Sequence, residues 1–131
     1  HPDLVTNGDV GVATVKGANH PYVKLNYDSA NIYYYNEGID GITELKKFLP
    51  WLGALHLKET DGKPKSWYFP GLHEGRGIVN FPEIFRLCHE AGFYGPFTLE
   101  IEGCEGENLT QEQTLQRMAN TAAYLRSIGE L

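Results

Sequence analysis

The sequence predicts an α/β protein in which about three parallel strands alternate with helices. Three observations predict it. Segments 23–28, 55–58 and 97–102 each place apolar or aromatic residues at odd positions and polar ones at even positions, the alternation of a strand with two different faces. Stretches with helical spacing of apolar residues separate these segments, and helical connections join parallel strands. The polar positions near the carboxyl ends are Asp28, His56, Lys58, Glu100 and Glu102, where βα folds build their sites. A parallel sheet is normally covered on both faces. Its polar face is costly to bury unless satisfied, and a metal ion with a polar substrate would satisfy it.

The elements follow in order. A short helix is expected around Val10–Lys16 within a Gly-rich opening stretch, and Tyr22–Asp28 is the first strand. Asp40 is placed to cap a helix over Ile42–Leu49, and Pro50 stops it. Gly53–Lys58 is the second strand. Residues 60–80 form a long loop rich in Gly, Pro and aromatics, a length that marks functional or disordered segments. Asn80 and Pro82 open a helix with apolar residues at Phe81, Ile84, Phe85, Leu87 and Cys88, ended by Gly92. Phe97–Glu102 is the third strand. Thr110 with Gln113 reads as a capping box for a helix over Gln111–Ser127. Asn108-Leu109-Thr110 matches a glycosylation acceptor but is read as part of that cap.

The 131 residues fit a single domain. An eight-stranded βα barrel takes about 250 residues, so three strands make either part of such a barrel or a small open sheet. With 41% apolar and 21% charged residues the composition is that of a soluble globular protein. No apolar run approaches the roughly 20 residues of a membrane span, and no leader-like segment is present. A cytoplasmic location without a membrane partner is expected. The net charge of −6, with no Lys/Arg cluster beyond Lys46-Lys47, disfavours nucleic acid. Cys88 and Cys104 make no disulfide framework, so reduced thiols are expected.

Asp28, His56 and Glu100 would supply two carboxylates and one imidazole, a donor set suited to one divalent metal such as Mn²⁺, Mg²⁺, Co²⁺ or Zn²⁺. Each has a plainer reading: Asp28 before Ser29-Ala30-Asn31 also fits an Asx turn, His56 a structural histidine, Glu100 an ordinary ion pair. Their common parity at strand ends favours the metal site. Lys58 shares the His56 face and could meet a developing negative charge on substrate oxygen, or be a solvated lysine. Glu102 is read as a rim ion pair. In the segment 71–77, Arg76 could clamp a hydroxyl or phosphate, and Glu74 is a further candidate substrate contact. Trp67, Tyr68 and Phe69 could wall a substrate or pin the loop. Tyr33, Tyr34 and Tyr35 would line the mouth of the site or pack their own segment.

At these residues the chain resembles the sugar phosphate isomerase/epimerase superfamily, whose members have a xylose isomerase-like (β/α)8 TIM barrel. The matching stretches are LNYDSAN (25–31), GALHLKETDG (53–62), HEGRGIVNFPEIFRLCHEAGFYGP (73–96) and FTLEIEG (97–103). The resemblance implies the C-terminal part of the barrel and a metal held by Glu, Asp, His and Glu, the last three matching Asp28, His56 and Glu100. The first Glu would lie upstream of His1-Pro2, so the chain is expected to begin just after it. Asn31 stands where many epimerases carry a substrate-contacting His.

For the intact protein the resemblance implies metal-assisted isomerisation or epimerisation of a sugar or sugar phosphate, by an enediolate or a hydride shift. Glu100 would be one of the proton-transferring carboxylates. Dehydratases of inosose or dehydroshikimate type share the barrel and remain an alternative. A metal-dependent endonuclease for abasic DNA also shares it, but needs a His-rich site and a basic face, against five histidines and a net charge of −6 here. A third alternative is a non-catalytic half-barrel. Two unpaired strand edges favour self-association or pairing with the missing half, and this chain alone is expected to have little activity.

Overall fold

The computed structural model describes residues 5–131; the His1-Pro2 turn lies outside them. In chain order the elements are α1 (Gly8–Ala18), β1 (Leu25–Asp28), α2 (Asn31–Tyr34), α3 (Gly41–Phe48), a 3₁₀ turn (Leu49–Trp51), β2 (Leu52–Leu57), β3 (Tyr68–Phe69), α4 (Phe81–Glu90), β4 (Phe97–Leu99), β5 (Gly103–Cys104) and α5 (Gln111–Ser127). β1, β2 and β4 form a parallel sheet in the order β1-β2-β4.

The parity rule sets which face is buried. On the odd side Leu25, Tyr27, Leu55 and Leu57 are buried and pack with Leu45, Phe48, Phe81, Ile84, Phe85 and Cys88 of α3 and α4. Tyr27 satisfies its hydroxyl by donating to the Gly41 carbonyl at 2.8 Å. The even side carries the polar strand-end groups. Register aligns them: Asp28 pairs with His56, and His56 with Thr98, so Glu100 lies one step beyond on the same face.

The caps form as expected. Asp40 accepts from the Thr43 N–H at the start of α3, Asn80 from Glu83 at α4, and Thr110 with Gln113 makes a reciprocal capping box at α5. Cys88 and Cys104 are both free. No helix among the described residues is long and apolar enough to cross a membrane.

Several features depart from the expected elements. β1 starts at Leu25 rather than Tyr22, and α1 is longer than Val10–Lys16 because Asn7 caps it by accepting from Val10 N–H. β4 ends at Leu99, not Glu102: Glu100 N–H still donates to Leu57 O, but β2 ends there and offers no further partner. Loop 60–80 is ordered and contributes β3, which pairs antiparallel with β5 just after β4. The helical turn α2 has no amphipathic period to announce it, since it is held by Asp28 rather than by its own pattern.

Candidate metal centre

Asp28 has two jobs, one for each oxygen. Its Oδ1 accepts from the backbone N–H of Ala30 (2.9 Å) and Asn31 (2.8 Å), the Asx-type arrangement the sequence allows. Its Oδ2 accepts from Asn31 Nδ2 at 2.8 Å and lies 3.7 Å from His56 Nδ1. The turn is formed through Oδ1 and is compatible with a ligand role for Oδ2. Beside it, Ser29 locks β1 to β2: its hydroxyl donates to Lys58 O (2.7 Å) and accepts from Lys58 N–H (2.9 Å).

His56 Nδ1 is 3.0 Å from Glu100 Oε2. Asp28, His56 and Glu100 each offer one ligand atom, and these atoms lie within 4.8 Å of one another. Two hard oxygens and one imidazole nitrogen at that spacing fit a single divalent cation with open positions. These residues line a cleft of about 420 Å³ that also takes in Asn31, Tyr35 and Lys24.

The two carboxyl groups sit in opposed environments. Burial holds the Asp28 carboxyl above its ordinary range, outweighing its backbone hydrogen bonds and the pull of Lys58. Burial also acts on Glu100, but the Lys58 and His56 charges beside it prevail and hold it below the usual range. Glu100 is the one kept ready as a carboxylate.

Lys58 is not a solvated strand-end lysine. Its side chain is only 2% exposed, its Nζ is 2.8 Å from Glu102 Oε2 and 3.5 Å from Glu100 Oε2, and it lies 4.3 Å from the Phe69 ring centroid. Buried ammonium groups need such partners.

Of the candidate substrate contacts, Asn31 joins the triad, but its side-chain amide is committed to Asp28. Glu74 and Arg76 do not join it. Glu74 accepts from Gly71 N–H and pairs with Arg117 of α5 at 2.9 Å. Arg76 pairs with Asp61 at 3.0 Å and stacks on Tyr68, 4.0 Å from its centroid. Both fold the long loop, and neither lines the cleft. Trp67 and Phe69 pack edge-on, and both lie against Tyr34, so the aromatic segments meet as one wall.

Sequence reasoning missed Glu59. It is 1% exposed, and its carboxylate accepts from the N–H of Thr60 (3.1 Å), Val79 (3.0 Å) and His73 (2.9 Å), gathering both ends of loop 60–80. Parity could have found it: a carboxylate at an odd, core-side position after β2 must be met by backbone donors.

Residues 3–127 match the family described as xylose isomerase-like TIM barrel. The chain belongs to this family. Its sequence is 28% identical over 83 residues to the L-ribulose-5-phosphate 3-epimerase UlaE of Escherichia coli, covering 63% of this chain and 27% of that protein. Against UlaE of Salmonella paratyphi B it is 27% identical over 94 residues, covering 72% and 31%. A xylose isomerase-like TIM barrel protein of Mycobacterium smegmatis, solved in complex with magnesium, superposes with a TM-score of 0.67 at 26% identity, covering 93% of this chain and 39% of that one. The D-psicose 3-epimerase of Clostridium cellulolyticum H10, solved with D-tagatose, shares the fold with a TM-score of 0.69 at 19% identity, covering 95% and 44%. The chain thus spans under half the length of these xylose isomerase-like relatives and forms part of the barrel. The named relatives include sugar epimerases.

Proposed function

We propose that this chain carries the C-terminal share of the active site of a metal-dependent sugar or sugar phosphate isomerase/epimerase. The observation that carries the proposal is the Asp28–His56–Glu100 triad with its ligand atoms within 4.8 Å, set beside a buried Lys58. A divalent metal bound by these three residues would supply Lewis acidity toward substrate oxygens. Glu100, held as a carboxylate by Lys58 and His56, takes the proton from the carbon next to the carbonyl. Lys58, fixed between Glu100, Glu102 and Phe69, faces the oxygen on which charge develops. Asn31 holds Asp28 in its rotamer.

The test is conversion of L-ribulose 5-phosphate and L-ribulose by the full-length protein in D₂O with Mn²⁺, followed by NMR. Epimer formation with deuterium at the reacting carbon is expected, and Glu100→Gln should slow it by about 10²- to 10⁴-fold. Turnover without deuterium would replace the proton relay with a hydride shift. An unimpaired Glu100→Gln enzyme would sink the role of Glu100.

We also propose that the 131-residue chain by itself self-associates and is nearly inactive. β1 and β4 are the outer strands of the parallel sheet among the described residues, and open edges recruit further strands. Sedimentation velocity is expected to show dimers or larger species. A monodisperse monomer with full turnover would contradict this.

A further inference from the structure

Besides Glu100, two groups hold the Lys58 ammonium: the Glu102 carboxylate at 2.8 Å and the Phe69 ring, whose centroid is 4.3 Å away. Neither belongs to a strand of the parallel sheet that positions the triad. Phe69 ends β3 and Glu102 stands just before β5. These two strands pair antiparallel, with Phe69 opposite Gly103 and Tyr68 opposite Cys104. The groups that hold Lys58 therefore ride on one small ladder. Two residues a side make a weak ladder, so its geometry has to be fixed from outside.

The fixing group is Arg117 of α5. Its guanidinium makes two bonds to Glu107, Nη1 to Oε2 at 2.7 Å and Nη2 to Oε1 at 2.5 Å, and Nη2 also reaches Glu74 Oε1 at 2.9 Å. Both carboxylates pass the grip on to the ladder. Glu107 Oε2 accepts from the Cys104 N–H of β5 at 3.0 Å, and Glu74 Oε2 from the Gly71 N–H, two residues past Phe69, at 3.0 Å. The same face of α5 adds two contacts: Thr121 Oγ1 accepts from Leu72 N–H at 3.2 Å, and the Tyr124 ring stacks on His73. Gly71 leaves room for this approach, since a Cβ there would stand 2.8 Å from Thr121 Oγ1 and 3.0 Å from Arg117 Cγ. Arg117 also lines one cavity of about 230 Å³ with Glu102, Cys104 and Glu107. A largely buried, bidentate guanidinium fixes direction as well as charge.

We propose that Arg117 is a positioning residue for Lys58: by clamping Glu74 to Glu107 it sets the β3–β5 ladder, and the ladder sets Phe69 and Glu102 against the ammonium. Without the guanidinium the two carboxylates lose their shared counter-charge and repel, and the strands part. Lys58 then leaves the position it needs, and small misplacements of such groups are costly to rate. The triad keeps its place, because β1–β2 register and the Ser29 bonds hold it independently. The effect on turnover rests on the isomerase/epimerase reading; the placement of Lys58 does not.

NMR of the full-length protein, metal-free and with ¹³C at lysine Cε, reads the placement directly. The Lys58 Hε resonances, assigned by their loss in Lys58→Arg, are expected upfield in the parent because the Phe69 ring faces them. Arg117→Met should move them toward the positions of exposed lysines. Glu107→Gln keeps the Glu74 pair and supplies a second variant should Arg117→Met not fold; its shift is expected in the same direction and smaller. With Mn²⁺ and L-ribulose 5-phosphate, Arg117→Met should lower kcat by about 10-fold with KM within about 2-fold, and leave Mn²⁺ affinity unchanged. Glu102→Gln should slow turnover similarly, and Arg117→Met added to it should cost little more, since both act on one contact. Parent-like Lys58 resonances in both Arg117→Met and Glu107→Gln would overturn the proposal. So would fully additive losses with Glu102→Gln, or a Mn²⁺ affinity that falls along with turnover. Displaced Lys58 resonances in the variants of a parent that converts no sugar would keep the positioning role and sink the isomerase/epimerase reading.

Discussion

His56→Ala is expected to weaken Mn²⁺ binding by about 100-fold or more, read by titration calorimetry, because even outer partners of metal ligands cost 10- to 100-fold. The imidazole would be the central donor: its Nδ1 lies 3.0 Å from Glu100 and 3.7 Å from Asp28. Without it the two carboxylates lose the group that sits between them. Asp28→Asn separates the two roles of that residue. Asparagine retains an oxygen for the Ala30 and Asn31 amides, so the turn at α2 survives. In place of Oδ2 it sets an amide against Asn31 Nδ2, donor facing donor, and the ligand is lost. The Asn variant should melt close to the parent and bind Mn²⁺ poorly. Parent-like affinity in either variant would remove Asp28 or His56 from the metal site.

Glu59→Ala is expected to lower stability by about 3 kcal/mol, since each buried donor left unmatched costs roughly 1–3 kcal/mol and water offsets part of it. At this chain length that corresponds to a Tm lower by roughly 10 °C. The loop amides of His73 and Val79 should exchange with solvent much faster. Gly77→Ala should reproduce the defect from the other side, because a Cβ there would stand 2.2 Å from Glu59 Cδ. Burial holds the Glu59 carboxyl above its ordinary range in spite of the amides it accepts from. The folded state thus binds that proton more tightly than the unfolded chain. The stabilisation is fully present below the ordinary carboxylate range and fades as pH rises through the raised value. The deficit of Glu59→Ala should shrink over the same interval. A Tm within a degree of the parent would show that the loop does not depend on Glu59.

Much of the sheet was legible because parity is a local signal. Leu25, Tyr27, Leu55 and Leu57 declare the core face, and Asp28, His56 and Glu100 the other, with no knowledge of neighbours required. Caps at Asp40, Asn80 and Thr110 are equally local, since each side chain bonds within three residues. What escaped depends on partners distant in sequence. The β3–β5 ladder joins Tyr68 to Cys104, Arg117 reaches back to Glu74, and Glu59 is answered by His73 and Val79. Arg76 read as a free clamp for the same reason: nothing near it in sequence announces that Asp61 holds it.

The alternation along β1 and β2 has an evolutionary consequence. Packing and chemistry ride on neighbouring residues of the same strand, yet they answer to different surroundings: helices on one side, the cleft on the other. A lineage can exchange His56 or Asn26 without disturbing how Leu55 and Tyr27 fill their places, because adjacent positions face apart. Such a strand lets reactivity drift while the scaffold stays constant. Residues that break the alternation, as Glu59 does on the core side, are where the two kinds of change become bound together.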